Sequence, residues 1–213
     1  NKILQIFKIK DLRNKILIVA FLLLCFRVLS VVPIPGIDVS RLQEFFSSNQ
    51  LFGFLNIFSG GALGNLSIVM LGVAPYITAT IIMQLLTMIF PKFKEMYYEE
   101  GAAGRAKFNR YSRYLTVPLA GLQAYGFLNL LISQNVIPHL GIFDILRNVV
   151  IISAGSMILV WLGELISEQK IGNGISLIIF AGIVSGLPVI IRQAFLSYEP
   201  TILPTYITFA IVA

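Results

Sequence analysis

The sequence predicts an all-α membrane protein, on three observations. Between Glu44 and Lys92 lie 47 residues without a single charge. Over the whole chain 57% of residues are apolar and 12% are charged, where soluble domains carry about 25% charged residues. Lys and Arg also gather into two clusters flanking long apolar runs, the pattern by which basic flanks stay in the cytoplasm and orient membrane helices. Lys2, Lys8, Lys10, Arg13 and Lys15 form the first cluster; Lys92, Lys94, Arg105, Lys107, Arg110 and Arg113 form the second.

Residues 1–15 read as a cytoplasmic N-terminal lead-in, and the apolar run behind it as a span, not as a cleaved leader. Span one is expected over Ile16–Val32. The turn Val32–Asp38 follows, with Pro33 and Pro35 excluding helix and Gly36 supplying a bend. A short polar helix is expected over Val39–Ser48. The uncharged segment comes next, and it is too long for one simple span of about 20 residues. It is broken by Gly60-Gly61, Gly64-Asn65, Gly72 and Pro75. Irregular backbone at membrane depth survives only where protein buries it or where it lines a water-filled cavity. We read a half-helix at about 52–63 that dips in from the outer side, then one crossing, span two, over Ile68–Phe90. A second crossing would put the two basic clusters on opposite faces.

Pro91–Arg113, with six basic and three acidic residues, reads as the largest cytoplasmic loop. Span three is expected over Leu115–Ile132, with Leu128 facing lipid. Ser133–Asp144 is an outer loop. Span four covers Val149–Leu165, with Trp161 as an interfacial anchor. Glu164–Gly174 is a tight cytoplasmic turn, and span five covers Ile175–Ile191. Residues 192–213 hold an outer loop and a sixth apolar run that stops at Ala213, so the chain is expected to be a fragment. By this topology 12 of 16 Lys and Arg face the cytoplasm; Arg41, Arg147 and Arg192 face out, and Arg27 lies within span one.

Composition excludes several functions. Cys25 is the lone cysteine and His139 the lone histidine, so neither an internal disulfide nor a multi-histidine metal site is possible. The spans contain no aspartate pair, no serine–histidine pair and no H-E-x-x-H, so an intramembrane protease, or any enzyme, is not expected. The G-x-G at Gly172–Gly174 follows no strand and is rejected as a nucleotide fingerprint; Asn173 reads as a helix cap. No cofactor is implied. Five complete spans is an odd number. A fused second copy would be inverted, and inverted halves build pathways at their interface.

The chain resembles the bacterial SecY family of protein-conducting channels. The resemblance rests on PIPGID (33–38), NIFSGGAL (56–63), PYITATIIMQLL (75–86), GRAKFNRYSRYLT (104–116), WLGELISEQKIGNGIS (161–176) and IIFAGIVSGLP (178–188), in family order. It implies the first half of a ten-helix inverted-repeat channel, over 16–191, with the half-helix as a plug. The plug would comprise Phe52, Phe54, Leu55, Ile57, Phe58, Gly60, Gly61 and Leu63. The family's hydrophobic pore ring falls on Val73, Ile77 and Ile179, and spans two and three form this half's side of a lateral gate.

The residues by themselves allow plainer readings. Val73 and Ile77 share one helical face and read equally as ordinary packing, although branched apolar side chains suit a gasket that excludes ions by dewetting. The glycines suit a small-residue helix interface. Pro75 reads as a tolerated kink or as a gate hinge. Gln84 reads as an interhelical hydrogen bond. Arg105, Lys107, Arg110 and Arg113 read as a solvated surface or as the seat of a cytoplasmic partner.

The function expected is passive passage of unfolded secretory polypeptides, with sideways release of hydrophobic segments into lipid. The alternative is an inverted-repeat secondary transporter for a small solute. Transporters place ionisable residues near the midplane, and spans two to five have almost none. The resemblance implies small membrane subunits of the SecE and SecG type, a SecA motor or a ribosome, and nascent chains bearing signal sequences as partners. The basic clusters add anionic lipid. The expected location is the bacterial inner membrane, multi-pass with a cytoplasmic N-terminus, or a plastid thylakoid.

Overall fold

The computed structural model describes residues 10–34, 56, 59 and 61–196. Six helices of eight or more residues appear among them: α1 Lys10–Leu29, α2 Ala74–Ile89, α3 Pro91–Tyr98, α4 Gly101–Ser133, α5 Ile142–Glu168 and α6 Gly174–Leu196. Two of these, α4 and α5, are long and apolar enough to cross a membrane, and the bent pair α2–α3 makes a third if it is one span. The other two expected spans are less clear-cut. Helix α1 has the length but carries Lys10, Asp11, Arg13, Lys15 and Arg27. The described apolar stretch of α6, Gly174–Gly186, is shorter than a span.

Span two departs most from expectation. Its helix starts at Ala74, not Ile68, and residues 61–73 form successive turns. Its 16 residues reach about 24 Å, short of a hydrocarbon core of about 30 Å. Pro75 sits in the first helical turn, where its missing N–H would have no partner anyway, so it starts the helix and does not kink it. The turns survive because the protein buries them. Ala62, Leu66, Ser67, Val69 and Met70 are wholly inaccessible. The backbone groups pair locally and across: the Ile34 N–H donates to the Leu66 carbonyl at 2.9 Å and the Ile68 N–H to the Val32 carbonyl at 3.0 Å. An isolated antiparallel bridge, Pro33 to Ser67, results. Leu66, buried at φ 42, holds a left-handed conformation that only such surroundings stabilise.

The expected loop 91–113 is almost entirely helical. Pro91 drives Phe90 into extended backbone, φ −110 and ψ 116, as prolines do to the preceding residue. Helix α3 therefore leaves α2 at 112°. It packs on α4 through Met96 and Phe108, with Met83 of α2 between them. Gly104 makes this possible, because a Cβ there would collide with the Met96 carbonyl. Helix α4 then begins at Gly101, well before the expected Leu115. Ala102, Ala103, Arg105, Ala106 and Lys107 are strong helix formers, and charge alone does not end a helix. Its buried stripe runs Phe108, Ser112, Thr116, Ala120, Ala124, Leu128 and Leu131. Leu128 is thus core and not lipid-facing; Leu122, 69% exposed, is the outward residue.

Helix α5 buries Asn148, Ile152, Gly155, Ser156 and Leu159 toward the turns. Gly155 admits the Ile68 carbonyl where any Cβ would overlap it. Between α5 and α6 the chain reverses over 169–173. Gly174 passes so close to the Gly163 carbonyl that a side chain would not fit. The Asn173 Oδ1 accepts the Ile175 and Ser176 N–H groups at 3.0 and 3.3 Å, the cap expected of it. Two larger apolar clusters form the core, one joining the turns to α4 and α5, the other joining α1, the turns, α5 and α6.

Candidate functional site

Two cavities meet between α2 and α6. One, of about 310 Å³, is lined by Leu63, Met70, Leu71, Gly72, Val73, Ala74, Ile77, Phe127 and Ile179, with Ser59 the single polar side chain among the described residues. The other, of about 500 Å³, is lined by Tyr76, Thr80, Gln84, Asn109, Glu164, Ser167, Asn173, Ile175 and Ser176, again with Ile77 and Ile179. Among the described residues only Ile77 and Ile179 belong to both. They stand where an apolar space gives way to a polar one.

Each side chain arrives there for a local reason. Val73 ends the turns and is 5% exposed; Ile77, one helical turn on, is 37% exposed. The Val73 carbonyl accepts the Ile77 N–H at 3.1 Å, which starts α2 and puts both residues on one face. Ile179 is carried by α6, whose start is fixed by the Asn173 cap, and it packs against the cluster containing Val73. The three residues proposed by resemblance for the ring therefore share one cavity wall.

Of the plug residues, Phe52, Phe54, Leu55, Ile57, Phe58 and Gly60 lie outside the described residues. Gly61, at φ 81, and Leu63, 8% exposed, lie within them. Leu63 lines the apolar cavity. This end of the segment is tied down: Asn56 Oδ1 accepts the Gly64 N–H at 2.7 Å, and Ser59 Oγ accepts the Leu63 N–H at 3.1 Å.

The basic residues divide. Arg105 and Arg110 are exposed. Lys107 pairs with Glu100 at 3.2 Å on the surface. Arg113 turns inward: its Nη1 donates to Glu164 Oε2 at 2.8 Å, linking α4 to α5. This pair went unread in the sequence, because Glu164 was assigned to a turn and its partner lies 51 residues away. Gln84, expected to bond another helix, lines the polar cavity instead; it is Gln123 that reaches across, to Thr78 at 3.4 Å. Arg27 is in the last turn of α1, near a helix end and not at mid-span. Among the described residues no group of three or more His, Cys, Asp or Glu is placed to hold a metal.

A helical chain with two to three apolar crossings, irregular buried turns and a narrow apolar-to-polar junction is an integral membrane protein. A model of the SecY family matches residues 67–213, and the chain belongs to that family. It is 44% identical over 189 residues to the protein translocase subunit SecY of Halalkalibacterium halodurans, covering 86% of this chain and 43% of that one. It is 43% identical over 196 residues to the same subunit of Streptomyces scabiei, covering 85% and 45%. It is 44% identical over 185 residues to that of Pyropia yezoensis, covering 87% and 44%. The chain thus spans less than half the length of the relatives it matches.

Proposed function

We propose that this chain forms one half of a protein-conducting channel, passing unfolded secretory polypeptides and releasing hydrophobic segments sideways into the bilayer. The observation that carries the reading is the junction at Ile77 and Ile179. A branched apolar pair between an apolar and a polar space dewets readily and blocks ions at rest. It binds nothing, so an extended chain slides past it. With Val73 it forms this half's part of a ring, and a second, inverted half supplies the rest.

In this reading the full set of five spans is α1, α2 with the turns before it, α4, α5 and α6; α6 runs to Leu196, into the expected outer loop, and the expected start of a sixth span lies outside the described residues. Residues 52–63 close the apolar space as a plug. Pro75 acts as a hinge because it marks the boundary between bonded turns and regular helix. Helices α2 and α4 are one side of the lateral gate. The basic end, with Arg105, Lys107 and Arg110, faces the cytoplasm and seats a SecA motor or a ribosome, and its cations favour anionic lipid. SecE- and SecG-type subunits pack on the lipid-facing helices. The location is the bacterial inner membrane. Energy comes from the partner, the channel being passive.

Conductance tests the seal. The doubly substituted channel Ile77→Gly/Ile179→Gly, in planar bilayers, should pass ions at rest where the unaltered channel does not. Equal, near-zero resting conductance in both would overturn the assignment of these residues as the seal.

A further inference from the structure

Among the described residues the polar cavity has one charged side chain on its wall, Glu164. Its partner Arg113 does not line the cavity; it reaches Glu164 from α4 behind the wall through a single nitrogen, Nη1, at 2.8 Å. The Arg113 Nε is buried with no hydrogen-bond partner. This is not the two-bond fork by which arginine holds a carboxylate most firmly. Side-chain exposures of 40% for Arg113 and 29% for Glu164 leave the carboxylate reachable from the cavity. One of its oxygens is engaged by Arg113 and the other carries no bond from that side.

We propose that Glu164 is a docking carboxylate for a cation on the incoming polypeptide: the lysines or arginines in the positively charged n-region of a signal sequence. This rests on the channel reading above. The chemistry is direct. A signal sequence leads with basic residues ahead of a short apolar stretch. In the polar cavity those cations meet one carboxylate, hydroxyls from Thr80 and Ser167, and the Gln84 amide. The apolar stretch then lies against Ile77 and Ile179. Arg113 holds one oxygen of Glu164 and so positions the carboxylate at the cavity wall while the cavity is empty, and it shares or yields that carboxylate when a second cation arrives.

The test uses variants at the chromosomal locus, so the polypeptide is examined as the cell makes it. Two export reporters differ only in the n-region, one with three lysines and one with three glutamines. Glu164→Gln should reduce the preference for the lysine reporter by about threefold, the scale of one partly exposed ion pair. The exchange Arg113→Glu/Glu164→Arg retains the pair but puts a cation on the wall, and it should lose the preference as well. Restoration of the preference by the exchange would show a purely structural pair and overturn the proposal. So would an unchanged preference in Glu164→Gln. A third measurement needs no variant: a photoreactive amine in the reporter's n-region, stalled in the unaltered channel, should label α5 near Glu164. Label confined to lipid or to other helices would overturn the proposal. In each overturning case the reporters still cross the unaltered channel, so the channel reading stands; a reporter that crosses independently of this chain refutes that reading instead.

Discussion

Replacing Gly155 with alanine tests whether buried, irregular turns are what position the junction. A Cβ on Gly155 would overlap the Ile68 carbonyl oxygen and lie 2.7 Å from its carbon and 3.3 Å from the Val69 nitrogen. The colliding atoms are backbone, so no flexible side chain can swing away. Nor can Ile68 retreat easily, because its N–H is bonded to the Val32 carbonyl at 3.0 Å and Val69 beside it is wholly buried. Overpacking of this kind costs about 1–3 kcal/mol. Taking about 2 kcal/mol, and about 2–4 °C per kcal/mol for a chain of this size, the melting temperature should fall by roughly 4–8 °C. The assay is thermal unfolding of the detergent-solubilised protein. Gly126→Ala is the control: apart from the adjoining backbone of its own helix, no described atom lies within 4 Å of where its Cβ would stand. It should be neutral or stabilising by up to about 1 kcal/mol through helix propensity. If both substitutions leave the melting temperature unchanged, the close crossing of α5 by the turns is wrong.

Other outcomes follow from the same packing. Asn148 is wholly buried with both amide atoms unpartnered, so Asn148→Leu should raise stability by about 1–3 kcal/mol, read as a higher melting temperature. Asn173→Ala removes the cap that starts α6 and should cost about 1 kcal/mol, with Asn173→Ser recovering most of it. Gly104→Val should separate α3 from α4, seen as faster proteolysis between residues 90 and 101 while the rest of the chain stays protected. Arg105→Gln with Arg110→Gln should leave stability within about 0.5 kcal/mol, as exposed substitutions do.

How much of this was legible in the sequence depended on the physics that wrote it. The irregularity of 61–73 was readable in part, since Gly60-Gly61, Gly64-Asn65 and Gly72 interrupt an uncharged run too long for one span, although glycines also suit a close helix interface. Its extent was not, because Ile68–Val73 is apolar enough to pass for helix, and the bonds that tie the turns to Val32 and Ile34 join distant segments. The length of α4 was underread because hydropathy sees the apolar half and ignores the charged half, although alanines and long side chains continue the helix. Pro75 read as a kink because its position relative to the helix start was unknown; two residues decide between a break and a beginning. Leu128 read as lipid-facing because in an all-apolar helix nothing in the residue types marks the inner face. The Asn173 cap was local and therefore visible. The Arg113–Glu164 pair joins distant segments and was invisible. The Val73, Ile77 and Ile179 assignments came from the family's motifs; the residues themselves fitted ordinary packing equally well.

The central claim is that a polypeptide passes the junction at Ile77 and Ile179. Site-specific photocrosslinking measures this most directly. A photoreactive residue is placed at Ile77, at Ile179, or at the outward-facing Leu122, in the chain as the cell makes it, and a secretory polypeptide is stalled in transit. The account predicts strong adducts from both junction positions and few from Leu122. Efficient export with no adducts at Ile77 or Ile179 would contradict it.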